Sequence, residues 1–102
     1  DLTSVGGGAG AHGLSLRAAP NPVRAGTTFT LWSEADGPQS LAIYDLRGRV
    51  VRAFDRTDAP KGARLVAWDG RDDRGLMLAA GVYRAVLRVG ARRVSQPVVI
   101  VP

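Results

Sequence analysis

The chain has 102 residues, carries 14 Lys and Arg against 9 Asp and Glu for a formal charge of +5, and contains no cysteine. That length allows a single hydrophobic core, and the missing thiols exclude both a disulfide framework and a thiolate metal site. No five like charges run together and no basic helix can be drawn, so nucleic-acid binding is not expected.

Residues 1–13 hold Gly6, Gly7, Gly8, Gly10 and Gly13 and scarcely any large apolar side chain. Such a composition does not repay the entropy of ordering, which predicts a flexible linker over 1–13 and a packed domain over 14–102. A linker in front of a domain implies a partner domain upstream. The first residue, Asp1, and the lack of a signal-peptide apolar region fit a mature fragment or an excised domain. His12, the chain's one histidine, falls in the linker, where a mobile backbone could not hold a catalytic or metal site.

Leu14-Ser15-Leu16-Arg17-Ala18 alternates apolar and polar residues and reads as a half-buried strand. Pro20-Asn21-Pro22 ends it, because each proline fixes φ and removes a ladder donor. Thr27 to Ser33 is rich in β-branched and aromatic residues and forms the second strand. Its alternation puts Phe29 and Leu31 inward and Thr28, Thr30 and Trp32 on the other face. After a turn cluster over Glu34 to Pro38, Ser40 to Asp45 is the third strand, with Leu41 and Ile43 inward.

Asp45 to Arg49 reads as a tight hairpin in which Gly48 supplies the left-handed conformation. Val50 to Phe54 returns as the fourth strand, and Asp55 to Gly62 is read as a loop marked by Pro60. Arg64 to Trp68 is the fifth strand. It breaks off at Asp69-Gly70, and four of the next six residues, Arg71 to Leu76, are charged, so a polar corner follows. Val82 to Val89 is the sixth strand, with Tyr83, Ala85, Leu87 and Val89 on one face and Val82, Arg84, Val86 and Arg88 on the solvent side. A hairpin at Gly90-Ala91 leads into the seventh, Arg93 to Val101. Short strands at this spacing, with no helical period, predict an all-β antiparallel sandwich. No apolar run approaches the ~20 residues needed for a membrane-spanning helix.

Few constellations could carry chemistry. Asp69, Asp72 and Asp73 form the one acidic cluster, and three carboxylates with loop carbonyls could supply most of a calcium shell. Alternatively they accept backbone N–H bonds and brace the turn. Without an available His or any Cys there is no nucleophilic triad, and the glycines of the linker lack the Lys and Ser/Thr of a phosphate-binding loop. No enzyme activity and no cofactor are expected. Trp68 is read as core. Trp32 and Tyr44 could stack on a sugar, or lie under a neighbouring loop or domain.

Three motifs occur in order: Pro20-Asn21-Pro22, then Ile43-Tyr44-Asp45 with Gly48-Arg49 and Val51, then Trp68-Asp69-Gly70 with Gly81-Val82-Tyr83. Together they resemble the immunoglobulin-like domain of flagellar hook-capping proteins and the related C-terminal sorting domains of type IX-secreted proteins. The resemblance spans Pro20 to Val101. It implies a seven-stranded immunoglobulin-like, fibronectin III-like sandwich, without catalytic activity, at the C-terminus of a larger bacterial protein that is secreted or held at the cell surface. Implied partners are the upstream domain of the same precursor and a secretion translocon or cell-surface component. One departure is Gln96-Pro97, standing before the last apolar strand where many sorting domains carry Lys or Arg. The final Val98, Val99, Ile100 and Val101 are apolar on both faces, which marks them as the candidate sorting or recognition segment.

Overall fold

The computed structural model describes residues 13–102. Two antiparallel sheets face each other across one core. The first has the order β1-β2-β6, with β1 at Leu14–Ala19, β2 at Thr27–Ser33 and β6 at Gly62–Trp68. The second has the order β4-β3-β7-β8, with β3 at Gly37–Tyr44, β4 at Val50–Ala53, β7 at Gly81–Val89 and β8 at Arg92–Ile100. Thr57–Ala59 adds a short β5 that pairs with β3.

Every strand that contributes to the core does so through a period of two, as a half-buried sheet must. Leu14, Leu16 and Ala18 of β1 and Phe29 and Leu31 of β2 face Leu41 and Ile43 of β3, Ala85, Leu87 and Val89 of β7, and Val94, Val98 and Ile100 of β8. The expected phases of Phe29, Leu31, Leu41, Ile43 and the β7 residues are those observed.

The strand count differs from expectation: the described residues form eight strands, not seven. Thr57–Ala59, read from sequence as loop, pairs with Gly37, Pro38 and Gln39, so β3 also begins three residues before Ser40. The short segment has no alternation to announce it. It is strand because the same β3 edge that pairs with β4 extends past Ala53, and the chain rejoins that edge before Pro60. The hairpin after β3 is as anticipated, with Gly48 at φ 83°. Asp45 closes it: its carboxylate accepts the N–H groups of Arg47 and Arg49 at 2.9 and 3.0 Å and the Arg49 Nε–H at 3.0 Å.

Between β1 and β2, both in the first sheet, the chain passes briefly along the edge of the second. After the Pro20-Asn21-Pro22 turn, buried Val23 lies parallel to the outer edge of β8. Val23 N–H donates to the Val99 carbonyl at 2.7 Å, and Val101 N–H donates to the Val23 carbonyl at 2.9 Å. Asn21 completes this cover, donating from Nδ2 to the Pro97 carbonyl at 2.9 Å and accepting the Val99 N–H at 3.1 Å. A short segment thus occupies the exposed edge of the last strand, which limits edge-to-edge pairing with another chain.

The expected linker and His12 lie outside the described residues apart from Gly13, whose carbonyl accepts the Glu34 N–H at 2.9 Å. Among the described residues no helix is long and apolar enough to cross a membrane.

Candidate functional site

Three regions could carry function: the corner after Trp68, the last strand, and the outward-facing aromatic residues. The corner begins where β6 delivers Trp68 inward. Its indole is 2% exposed, stacks on Phe29 with centroids 6.0 Å apart, and donates from Nε1 to the Arg71 carbonyl at 3.0 Å. Phe29 in turn meets Phe54 edge-on at 6.4 Å. Because Phe29 belongs to the first sheet and Phe54 follows β4 of the second, this aromatic run ties the sheets together at one end, a geometry that adds to the stability gained from burial.

The corner is held mainly by its own carboxylates. Asp69 Oδ1 accepts the Arg71 N–H at 3.0 Å, and Asp72 Oδ1 accepts the N–H groups of Arg74 and Leu76 at 2.9 and 3.0 Å. Gly70 and Gly75, at φ 78° and 84°, make the reversals that these bonds require. Asp73 reaches across to β4: its N–H donates to the Val51 carbonyl at 2.9 Å and its Oδ1 accepts the Ala53 N–H at 3.1 Å. The free edge of β4 is covered in this way.

Arg52 locks the arrangement. Its Nη1 donates to Asp69 Oδ1 and to the Arg71 carbonyl, each at 3.2 Å, and its Nε stands 3.8 Å from Asp73 Oδ1. The guanidinium carbon lies 4.9 Å from the centre of the Phe54 ring, a cation–π contact. The Arg71 amide and the Arg52 charge hold the Asp69 carboxyl below its usual range. Sequence reading missed Arg52, since its partners lie 17 to 19 positions away and nothing local sets it apart. Asn21 was likewise read only as the middle of a turn.

The calcium reading of Asp69, Asp72 and Asp73 finds no support in this geometry. Each carboxylate turns to a different backbone N–H, and among the described residues no three His, Cys, Asp or Glu side chains gather in a way that could hold a metal.

In the last strand the four apolar residues separate into two roles. Val98 and Ile100, at 0% and 6% exposure, belong to the core, while Val99 and Val101 are half-buried on the other side. Gln96, just before them, also points inward and is buried, with its Oε1 lacking a hydrogen-bond partner.

Trp32 is 45% exposed on the outer face of the first sheet, beside exposed Leu65. Tyr44 sits on the outer face of the second sheet, beside Arg84. The two rings are therefore on opposite sides of the sandwich and cannot flank one sugar. Tyr83 sits on the inward side of β7 and donates its hydroxyl to the Ala79 carbonyl at 2.7 Å. Burial, with the nearby Asp45 charge, raises its pKa.

Comparison with known proteins places this architecture. The fold superposes on dimeric latent PorU from Porphyromonas gingivalis with a TM-score of 0.66 at 24% identity, covering 84% of this chain and 9% of that one. It superposes on PorZ, an essential bacterial surface component of the type IX secretion system of the same organism, with a TM-score of 0.58 at 22% identity, covering 85% of this chain and 11% of that one. The chain thus spans about a tenth of the length of either structure. No curated protein matches it. Residues 20–91 match the family described as FlgD Ig-like domain. That span takes in the proline turn, the Asp45 hairpin and the whole Trp68 corner, and the chain belongs to that FlgD Ig-like domain family.

Proposed function

We propose that this domain is a non-catalytic accessory module of a larger, secreted bacterial protein, and that it marks that protein for export or holds it at the cell surface. The observation that carries the reading is the place of the same fold in its structural neighbours. There it occupies about a tenth of a long chain, and one of those chains is a surface component of a secretion system. The chemistry of the corner supports the non-catalytic part. Its carboxylates and the indole N–H are engaged by the backbone, so the most recognisable motif of the chain is spent on holding the fold.

A translocon that reads this module would meet a folded surface. Val98 and Ile100 are inside, and Asn21 and Val23 already occupy the β8 edge, which leaves Val99 and Val101 as the parts of the terminal segment within reach. The partners in this reading are the upstream domain of the same precursor and the secretion machinery.

The test is a fusion of the domain to the C-terminus of a reporter enzyme in a bacterium that has type IX secretion. The intact fusion is expected at the surface or in the medium, and the reporter alone in the lysate. Val99→Glu, checked for an unchanged thermal transition, is expected to leave active reporter inside the cell. An intact, folded fusion that stays inside would sink the export reading. It would favour a second one, a packing domain seated on an upstream enzyme, for which the exposed Trp32 and Leu65 of the first sheet are the apolar contact face.

A further inference from the structure

The outer face of the second sheet contains an arrangement that the fold does not need. Arg88 of β7 stands directly opposite Arg93 of β8, and the residue opposite Arg88 on its other side, in β3, is Ser40. Like charges directly opposed across a ladder destabilise a sheet. Among the described residues no ion pair joins either arginine to a carboxylate. Two guanidinium groups, each able to grip a carboxylate bidentately, are thus held side by side without an internal anion.

They form one end of a groove of about 380 Å³ that follows β7. Val86 lies along it and is only 8% exposed although it points to the solvent side, flanked along the strand by Arg84 and Arg88. Arg84 is oriented across β8 by a bond from its Nη1 to Ser95 Oγ at 3.2 Å. Beyond Arg84 the lining turns mainly apolar, with exposed Val82 and Leu46 beside Tyr44; Asp45 also lines it, its carboxylate already held by the Arg49 N–H and guanidinium. The groove is therefore graded, apolar at one end and cationic at the other.

We infer that this groove docks an extended polypeptide segment of a partner protein, one that presents an apolar side chain at the Val82–Leu46 end and carboxylates at the Arg88–Arg93 end. Charge complementarity sets the acidic end, and the chain's net +5 charge would steer such a segment in. The apolar end selects a polypeptide over an acidic polysaccharide, whose uniformly polar surface would leave Val82 and Leu46 uncovered. The groove lies on the sheet face, and the flanking edges of β4 and β8 are covered, by Asp73 and by Asn21 and Val23. The segment must accordingly lie over the face and be read through its side chains. From Val82 to Arg88 is six residues of strand, roughly 20 Å, so the apolar anchor and the carboxylates of an extended ligand fall about five or six positions apart. This docking would operate whether the domain serves export or packing.

The experiment is a fluorescence-anisotropy titration of the 102-residue chain with a labelled synthetic peptide in which leucines precede a run of glutamates by about five residues. Arg93→Glu is expected to weaken binding about tenfold or more while leaving the unfolding temperature equal or higher, because the new carboxylate faces Arg88. Loss of binding together with retained or increased stability is a signature that a structural role for Arg93 would not give. Arg88→Gln provides a second variant of the cationic end and is also expected to weaken binding. Val82→Ser is expected to weaken binding several-fold, and a tenfold rise in salt to weaken the wild type strongly. Wild-type affinity in both arginine variants would overturn the inference. So would polygalacturonate displacing the peptide at matched carboxylate concentration together with no effect of Val82→Ser, which would assign the groove to an acidic polysaccharide.

Discussion

The chain's two tryptophans have opposite fates. Trp68 is closed into the core, stacked on Phe29 and hydrogen-bonded to the Arg71 carbonyl. Trp32 lies half in solvent on a sheet face beside Leu65, Ser15 and Ala63. Both sit near the end of a strand, and those strands are neighbours in one sheet. The difference is phase alone. Trp68 is opposite buried Thr27, on the inward set, whereas Trp32 is opposite Ala63, on the outward set. A period of two means that a shift of one residue exchanges core for surface. The comparison teaches that aromatic content says little until register is known, and that the inward tryptophan organises the fold while the outward one is free for contact.

The largest effect should come from breaking the inward side. Trp68→Ala removes an aromatic from between the sheets and is expected to cost about 3–5 kcal/mol in urea unfolding. A cost near that of an exposed site would abolish the distinction between the two regions. The last strand offers the same contrast one residue apart. Ile100→Ala is expected to cost about 2–5 kcal/mol, and Val99→Ala less than about 1 kcal/mol. Equal losses at both positions would mean that the outer side of β8 is as packed as the inner.

Acid should weaken the corner and leave the Trp32 face unaffected. Asp69 has its folded-state pKa lowered by the Arg71 amide and by Arg52. Its contribution to stability is therefore complete above the unfolded-state value of about 3.9 and is lost as pH falls through the lower folded-state value. Asp69→Asn keeps an acceptor oxygen for the Arg71 N–H but loses the charge facing Arg52. Its urea midpoint should lie below the wild type's at neutral pH, and the two should converge as pH falls below about 4. A gap that persists unchanged in acid would show that the charge is not its source.

The smallest effect belongs to Trp32→Ala, expected at about 1 kcal/mol or less. A companion measurement sharpens the contrast: in Trp68→Phe the remaining indole is Trp32, and its emission should be red-shifted and readily quenched by acrylamide. A blue-shifted, protected signal would place Trp32 under cover in solution.

Much of this arrangement was legible in the residues. Alternation in Thr27 to Ser33 and in Val82 to Val89 told inward from outward correctly, because hydrophobic burial on a pleated strand leaves no other pattern. Gly48 and Gly70 marked reversals because few other residues take positive φ at low cost. Thr57–Ala59 was not legible as strand, since three residues carry no period and their pairing depends on where the edge of β3 lies. The acidic cluster showed its carboxylates, but whether they converge on an ion or diverge to backbone donors depends on loop geometry.

What the sequence by itself determined is the strand phases, the reversing turns, and a family identity carried by three motifs in order. Those are local properties, set by each residue's own backbone freedom and hydrophobicity. Only the tertiary structure decided that Arg52 locks the corner, that Asn21 and Val23 occupy the β8 edge, that Trp32 and Tyr44 face opposite ways, and that Arg88 stands against Arg93. Each of these joins positions across strands or sheets. Such contacts depend on register and sheet order, which arise when the chain closes its core and are written in no single stretch of residues.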